Sequence, residues 1–364
     1  MNVKVITRHA PSNYGSLLQS VATIKIIEYL GYEAEIIDYR RADESGLEKV
    51  WTEAKQKYDN PLKQLAYTIV RYPIERYAET RFDKMRVAYL PMTKVCSSHS
   101  MLSLLEADVF MTGSDQVWGP MVNGMYDSAY FLQFTKCGKR VSYAASFGKT
   151  KFDEFTITDY KKMLATYDKI AVREDSAVQL LESWKLTNCI GQVLDPTLLL
   201  SGDEWRKWAS IDKSEKKPYI LVYQLHNDPN LSTYAKNLAN KMGMELVRVN
   251  PFIHQIRRGG RFVCCPDVKD FLRLINESTI MVTDSFHGTC FAINLNKQFV
   301  EVLPNNGTGI RNQSILKLVG LSDRIITDYS DWSITNHEID YYSVNSILDT
   351  ERQNSLYKLK QLLS

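Results

Sequence analysis

The chain has 364 residues, 44% hydrophobic and 11% aromatic, enough for a sizeable buried core and about two domains. Lys and Arg number 45 against 42 Asp and Glu, a net charge of +3 that excludes a global field aimed at nucleic acid or a membrane. The six cysteines show no metal spacing, and adjacent Cys264 and Cys265 suit neither a CxxC site nor a disulfide framework, so free thiols in a reducing cytoplasm are expected, with no cofactor and no metal.

The N-terminal MNVKVITRHA lacks a secretory apolar region, and no stretch has about 18 consecutive apolar residues, so the expectation is a cytoplasmic protein that does not span a membrane. Residues 3–7 alternate as a first strand. A polar loop over 8–16 precedes apolar residues at helical spacing over 17–30, which Gly31 ends. Residues 33–39 form the next strand, completing a βαβ unit of a doubly wound parallel sheet. Asn13, Tyr14 and Gly15 sit at the first carboxyl edge, where ligands bind in such sheets. The loop lacks GxGxxG spacing, so a dinucleotide fingerprint is not supported.

Residues 41–95 read as a charged excursion of helices, either a solvated face or an acceptor-binding flap. Strand 108–111 then runs into Thr112-Gly113-Ser114-Asp115-Gln116-Val117-Trp118. This density of hydrogen-bonding and stacking groups reads as ligand contact, against an Asx-type turn with Trp118 as a core plug. Residues 140–147 give a strand ending at Ser146. Residues 168–172 give another, ending at Arg173. That arginine is a candidate fork for a carboxylate or phosphate, or the partner of Glu174 or Asp175 in an internal ion pair. Strand 192–194 closes at Asp195-Pro196-Thr197.

The Lys-rich stretch 201–218 reads as a linker. The expected domains are therefore 1–204 and 215–343, with a helix over 344–364 packing back on the first. The second domain repeats the α/β pattern, with strands at 219–223, 246–249, 280–282 and 299–303. Arg257-Arg258-Gly259-Gly260-Arg261 reads as a phosphate loop or as an exposed basic turn. After strand 280–282 come Asp284, Ser285, Phe286, His287 and Gly288, then an apolar helix. Gly288 can bring the backbone close to a ligand, and the helix N-terminus favours an anion. His287 is placed to move a proton near neutral pH. The bland alternative is that Asp284 or Ser285 caps the helix and His287 is a satisfied, half-buried histidine.

Several blocks together resemble the polysaccharide pyruvyl transferase family: NYGSLLQ from Asn13, GYEAEIIDYR from Gly31, TGSDQVW from Thr112, SYAASFG from Ser142, AVRED from Ala171, LDPTLLL from Leu194 and TDSFHGTCFAINLNKQF from Thr283. The resemblance implies two Rossmann-like domains facing across a cleft, as in glycosyltransferase B. It also implies transfer of the enolpyruvyl group of phosphoenolpyruvate to sugar hydroxyls, giving a pyruvate ketal on a bacterial surface polysaccharide such as a capsule. On it, His287 matches a general acid and Arg173 a donor-site arginine. Ser285 and Phe286 stand where that family has arginine and leucine before the histidine. Arg311 would aid the donor site together with Ser285 and Gly288, with Arg257, Arg258 and Arg261 as further candidates to compensate. Asp284 would orient His287 or act as a base. Asn13, Tyr14, Gly15, Gly113, Ser114, Asp115, Gln116, Trp118 and Ser146 would face the acceptor, a lipid-linked or nucleotide-linked sugar, with peripheral contact at the inner membrane face as an accompanying option. The rival readings are a glycosyltransferase using a nucleotide-sugar, with Asp284 on the ribose and Phe286 on the base, and a non-catalytic glycan- or nucleotide-binding relative.

Overall fold

The computed structural model describes residues 1–121, 125–212, 217–304 and 309–364. The first half runs β1 (Asn2–Ile6), α1 (Tyr14–Tyr29), β2 (Glu33–Ile36), α2 (Gly46–Lys57), α3 (Pro61–Tyr89), α4 (His99–Leu102), β3 (Val109–Thr112), β4 (Lys139–Ala145), α5 (Glu154–Leu164), β5 (Lys169–Val172), α6 (Asp175–Ser183), β6 (Cys189–Gln192), α7 (Pro196–Leu199) and α8 (Gly202–Trp208). The second half runs β7 (Tyr219–Tyr223), α9 (Pro229–Met242), β8 (Glu245–Asn250), β9 (Arg261–Cys264), α10 (Val268–Glu277), β10 (Ile280–Thr283), α11 (Phe286–Asn294), β11 (Gln298–Glu301), α12 (Ile310–Leu318) and α13 (Tyr341–Leu363).

Two parallel sheets result, ordered β2-β1-β3-β4-β5-β6 and β11-β10-β7-β8-β9. The chain enters the first sheet one strand in from its edge and the second at its central strand, and it winds to both sides of each, so each sheet has a point where strand order reverses. Central strands β3, β7 and β10 are buried along their whole length, which is why Val-Phe-Met-Thr, Tyr-Ile-Leu-Val-Tyr and Ile-Met-Val-Thr read as unbroken apolar runs.

The lobes meet through α1 of the first and α10 and α11 of the second. Tyr14 stacks on Phe271 with ring centroids 4.2 Å apart, and its hydroxyl donates to the Pro266 carbonyl at 2.9 Å. Further along the seam, the Asn294 amide donates to the carbonyls of Thr197 and Leu200 at 2.9 and 2.7 Å. Helix α13 lies across the first sheet: Ser355 Oγ accepts the Leu194 N–H at 2.9 Å, and Lys358 donates to Gln192 O at 2.8 Å. Arg352 of the same helix also donates to Asn294 Oδ1 at 2.9 Å, tying the lobes together.

Two segments differ from the sequence expectation. The supposed linker begins with α8, whose Ser201 and Glu204 form a capping box and whose buried Trp205 donates to Thr197 O at 2.8 Å. Residues 213–216 of that stretch lie outside the described residues. Strand β9 was not anticipated, because an edge strand with an exposed or half-exposed side chain at every position carries little apolar signal.

Candidate active site at the lobe seam

Both predicted carboxyl edges point at the seam. On the second lobe, β10 ends at Thr283 and α11 starts at Phe286, with Ser285 as N-cap: its Oγ accepts the Gly288 N–H at 3.2 Å. That presents His287 to the first lobe. The imidazole lies directly against Gly15 at the start of α1; a Cβ there would fall 2.1 Å from His287 Nδ1, so only glycine admits the ring.

On the first lobe the ends of β3, β5 and β6 deliver Ser114, Arg173 and Asp195. Arg173 donates from Nη1 to Asp195 Oδ2 at 3.0 Å and from Nε to Glu174 Oε1 at 2.9 Å. Ser114 Oγ donates to the same Asp195 oxygen at 2.8 Å, and Thr197 supplies its N–H and hydroxyl to the other. His287 Nε2 is 3.6 Å from Asp195 Oδ2, too far for a hydrogen bond, and among the described residues it has no hydrogen-bond partner. Arg173 Nη2 likewise has none. Burial alone would raise the Asp195 carboxyl, but the neighbouring His287 and Arg173 hold it well below the ordinary carboxylate range.

A second arginine completes the cluster. Phe286 has two guanidiniums over its ring, Arg173 at 4.2 Å and Arg311 at 5.6 Å from the centroid. Burial and the like charge of Arg173 bring Arg311 down to about 10. The Gln116 carboxamide, with its oxygen toward Arg311, accepts from Nη2 at 3.2 Å and Nε at 3.3 Å. Asp115 is 4.0 Å from Arg311, accepts from Ser16 Oγ at 2.9 Å, and holds a left-handed backbone at φ 80°. A non-glycine residue held there marks a constrained site. Burial works against the Asp115 carboxylate, yet His287, Arg173, Arg311 and Arg8 together keep its pKa lowered.

The seam thus gathers His287, Arg173, Arg311, Ser114, Asp115 and Gln116. Several other expected site residues serve the scaffold. Asp284 does not reach His287: its oxygens accept the Leu225 and His226 N–H groups at 2.7 and 2.9 Å, with His226 Nδ1 3.3 Å away. Asn13 caps α1, accepting from Gly15 and Ser16 N–H. Tyr14 is consumed in the lobe contact described above. Trp118 is a core plug, fully buried, donating to Tyr130 O at 3.1 Å. Gly113 packs on Val5 and Thr7, Ser146 caps its own turn by accepting the Gly148 N–H, and Gly288 lets α11 sit on Thr283 and Tyr223 rather than on a ligand. Ser285 is spent on its cap. Of the basic run, Arg258 donates to Asn227 and Arg261 to Glu245, away from the seam.

Asp195 is the residue the sequence reading passed over. It stands at a carboxyl edge just before Pro196, the same kind of position that singled out Asp115. Among the described residues, no group of three or more His, Cys, Asp or Glu side chains is arranged to hold a metal ion.

A family model for polysaccharide pyruvyl transferases matches residues 13–307, most of the chain. The chain belongs to the polysaccharide pyruvyl transferase family. The matched span carries every seam residue named above except Arg311, which lies four positions beyond it. A search of curated proteins found no match. Among solved structures, UDP-GlcNAc 2-epimerase from Methanocaldococcus jannaschii in complex with UDP-GlcNAc and UDP has a TM-score of 0.53 at 14% identity, covering 100% of this chain and 99% of that one. The Rickettsia bellii epimerase gives 0.53 at 12% identity, with 100% and 96% covered, and the Neisseria meningitidis epimerase bound to UDP-GlcNAc gives 0.51 at 11%, with 100% and 99% covered. At these identities the likeness concerns fold: this transferase-family chain has the two-lobed α/β arrangement of glycosyltransferase B type.

Proposed function

We propose that the protein transfers the enolpyruvyl group of phosphoenolpyruvate to two hydroxyls of a sugar, forming a pyruvate ketal during surface polysaccharide synthesis. The observation that carries this reading is the His287 imidazole, its Nε2 without a hydrogen-bond partner among the described residues, set against the buried Arg173 and partly buried Arg311 guanidiniums at the lobe seam. An acid beside clustered cations suits a donor that bears a carboxylate, a phosphate and a protonatable methylene.

His287 gives a proton to the donor methylene, which becomes the methyl group. An acceptor hydroxyl oxygen bonds to the adjacent carbon as positive charge develops there, and the proton it loses restores the imidazole. A second hydroxyl then attacks that carbon, its C–O bond to phosphate breaks, and phosphate leaves with the remaining proton. Arg173, through Nη2, and Arg311 hold the donor anions, replacing the cation lost where Ser285 stands. Asp195 fixes Arg173 and lies beside the imidazole. Ser114, Asp115 and Gln116 face the acceptor, which is lipid-linked or nucleotide-linked.

The rival nucleotide-sugar reading relied on Asp284 and Phe286. The first already accepts two backbone N–H groups, and the second has the guanidiniums of Arg173 and Arg311 over its ring. Thermal-shift titration separates the two. Phosphoenolpyruvate is expected to raise the melting temperature, whether or not a UDP- or GDP-sugar also does so as acceptor. Stabilisation by nucleotide-sugars with no response to phosphoenolpyruvate would favour the rival.

A further inference from the structure

The excursion between β2 and β3 carries a surface that chemistry at the seam leaves unexplained. At about 3.6 residues per turn, Leu62, Leu65, Ile69, Pro73 and Tyr77 share one side of α3, with Val70 at its border. That side faces outward: the large apolar side chains on it range from 50% exposed at Leu65 to 76% at Leu62. A contiguous apolar face of this kind marks an interaction surface.

Beside it opens a cavity of about 590 Å³, lined by Lys57, Lys63, Tyr67 and Arg71 from the first lobe and His254 and Arg257 from the second. Arg71 reaches the His254 ring and stacks on Phe252 at 4.7 Å. Its Nε has no partner among the described residues. Positive charge is in excess there: burial, then Arg71, Arg257, Arg258 and Lys57, push the His254 imidazole down to about 4. Nearby acids do little to offset this. Glu75 is buried under Lys49 and Arg71, and Glu53 accepts from Tyr67 at 3.3 Å, leaving exposed Asp59. Exposed Ile253 and Ile256 adjoin His254 on the second-lobe side.

We infer that this face docks the protein peripherally on an anionic lipid surface, with the apolar side of α3 entering the headgroup boundary and the basic cavity taking a lipid phosphate. An outward apolar helix face bordered by lysine and arginine is the pattern of interfacial binding, and among the described residues no helix is long and apolar enough to cross a membrane. A second copy meeting through the same patch would set these cations against each other. The inference rests on the proposed function in one respect, since it selects lipid-linked over nucleotide-linked acceptors.

The test is co-sedimentation of the full-length protein with vesicles of phosphatidylcholine alone and of phosphatidylcholine with phosphatidylglycerol. Pelleting is expected with the anionic vesicles only, weakening as salt is raised. Lys57→Gln and Lys63→Gln should each lower partitioning about fivefold, and the double change Leu65→Ser with Ile69→Ser by about tenfold, with circular dichroism unchanged. Wild-type protein left in the supernatant, variants that pellet like wild type, or a wild-type dimer that the serine variant splits would each overturn the inference. Binding is read without turnover. A protein that pellets yet forms no ketal would defeat the proposed function alone, and a transferase indifferent to vesicles would defeat this inference alone.

Discussion

Asp195 is the pivot at the scale of single residues. It receives Arg173 and Ser114 on one oxygen and Thr197 on the other, and it stands next to His287. Removing one partner of a buried ion pair leaves an uncompensated charge. Asp195→Asn is therefore expected to destabilise the fold by about 3 kcal/mol in denaturant unfolding and to lower turnover as well; an unchanged unfolding midpoint would show that the pair contributes nothing. Gly15→Ala makes a separate demand, because the added methyl overlaps the His287 ring. It should depress turnover by at least about a hundredfold while circular dichroism stays that of wild type, and normal kinetics would mean the ring position is not critical. The sequence made His287, Arg173, Ser114, Asp115 and Gln116 legible because strand ends in parallel sheets locate the ligand edge, whereas Arg311, on α12, was named only as a cation available to the donor site. It could not say which polar residues at that edge turn inward to build the scaffold. Asn13 and Ser285 became caps, Asp284 bound backbone amides, and Arg173 turned out to be held by Glu174 and Asp195 instead of standing open.

At the scale of elements, α11 is positioned from behind. Glu301 ends β11 fully buried, accepting from Asn312 at 2.5 Å and from Thr289 of α11, and burial raises its carboxyl well above the ordinary value. The folded state therefore holds this proton to a higher pH than the unfolded chain does. Its contribution to stability is full below the ordinary carboxyl value and declines as pH rises from there toward the raised folded value. Glu301→Gln keeps the shape and removes the titration. Its melting temperature relative to wild type is expected to climb as pH is raised from about 4.5 to neutrality, and a difference independent of pH would refute a protonated Glu301. The elements with strong periodicity or buried apolar runs were readable in advance. Strand β9 and helix α8 were not, since an edge strand is half exposed and a short, charged helix at the head of a Lys-rich stretch resembles a linker in composition.

At the scale of the molecule, the two lobes are pressed together over the site. The cavity beside Arg173, Phe286 and Arg311 measures about 10 Å³, room for a single water at most. Under the proposed function the donor needs more room than this, and separation of α1 from α10 and α11 would supply it, as lid motions do in many enzymes. Tyr14 against Phe271 is the contact that opening must break. The central claim is that His287 protonates the methylene of phosphoenolpyruvate at this seam. The most direct measurement is mass spectrometry of lipid-linked and nucleotide-linked sugars incubated in deuterium oxide with phosphoenolpyruvate and either wild-type protein or His287→Ala. The account predicts a sugar that gains a pyruvate ketal whose methyl carries one solvent deuterium with wild type, and none with the alanine variant; undiminished ketal formation by the variant, or a ketal methyl without solvent deuterium, would contradict it.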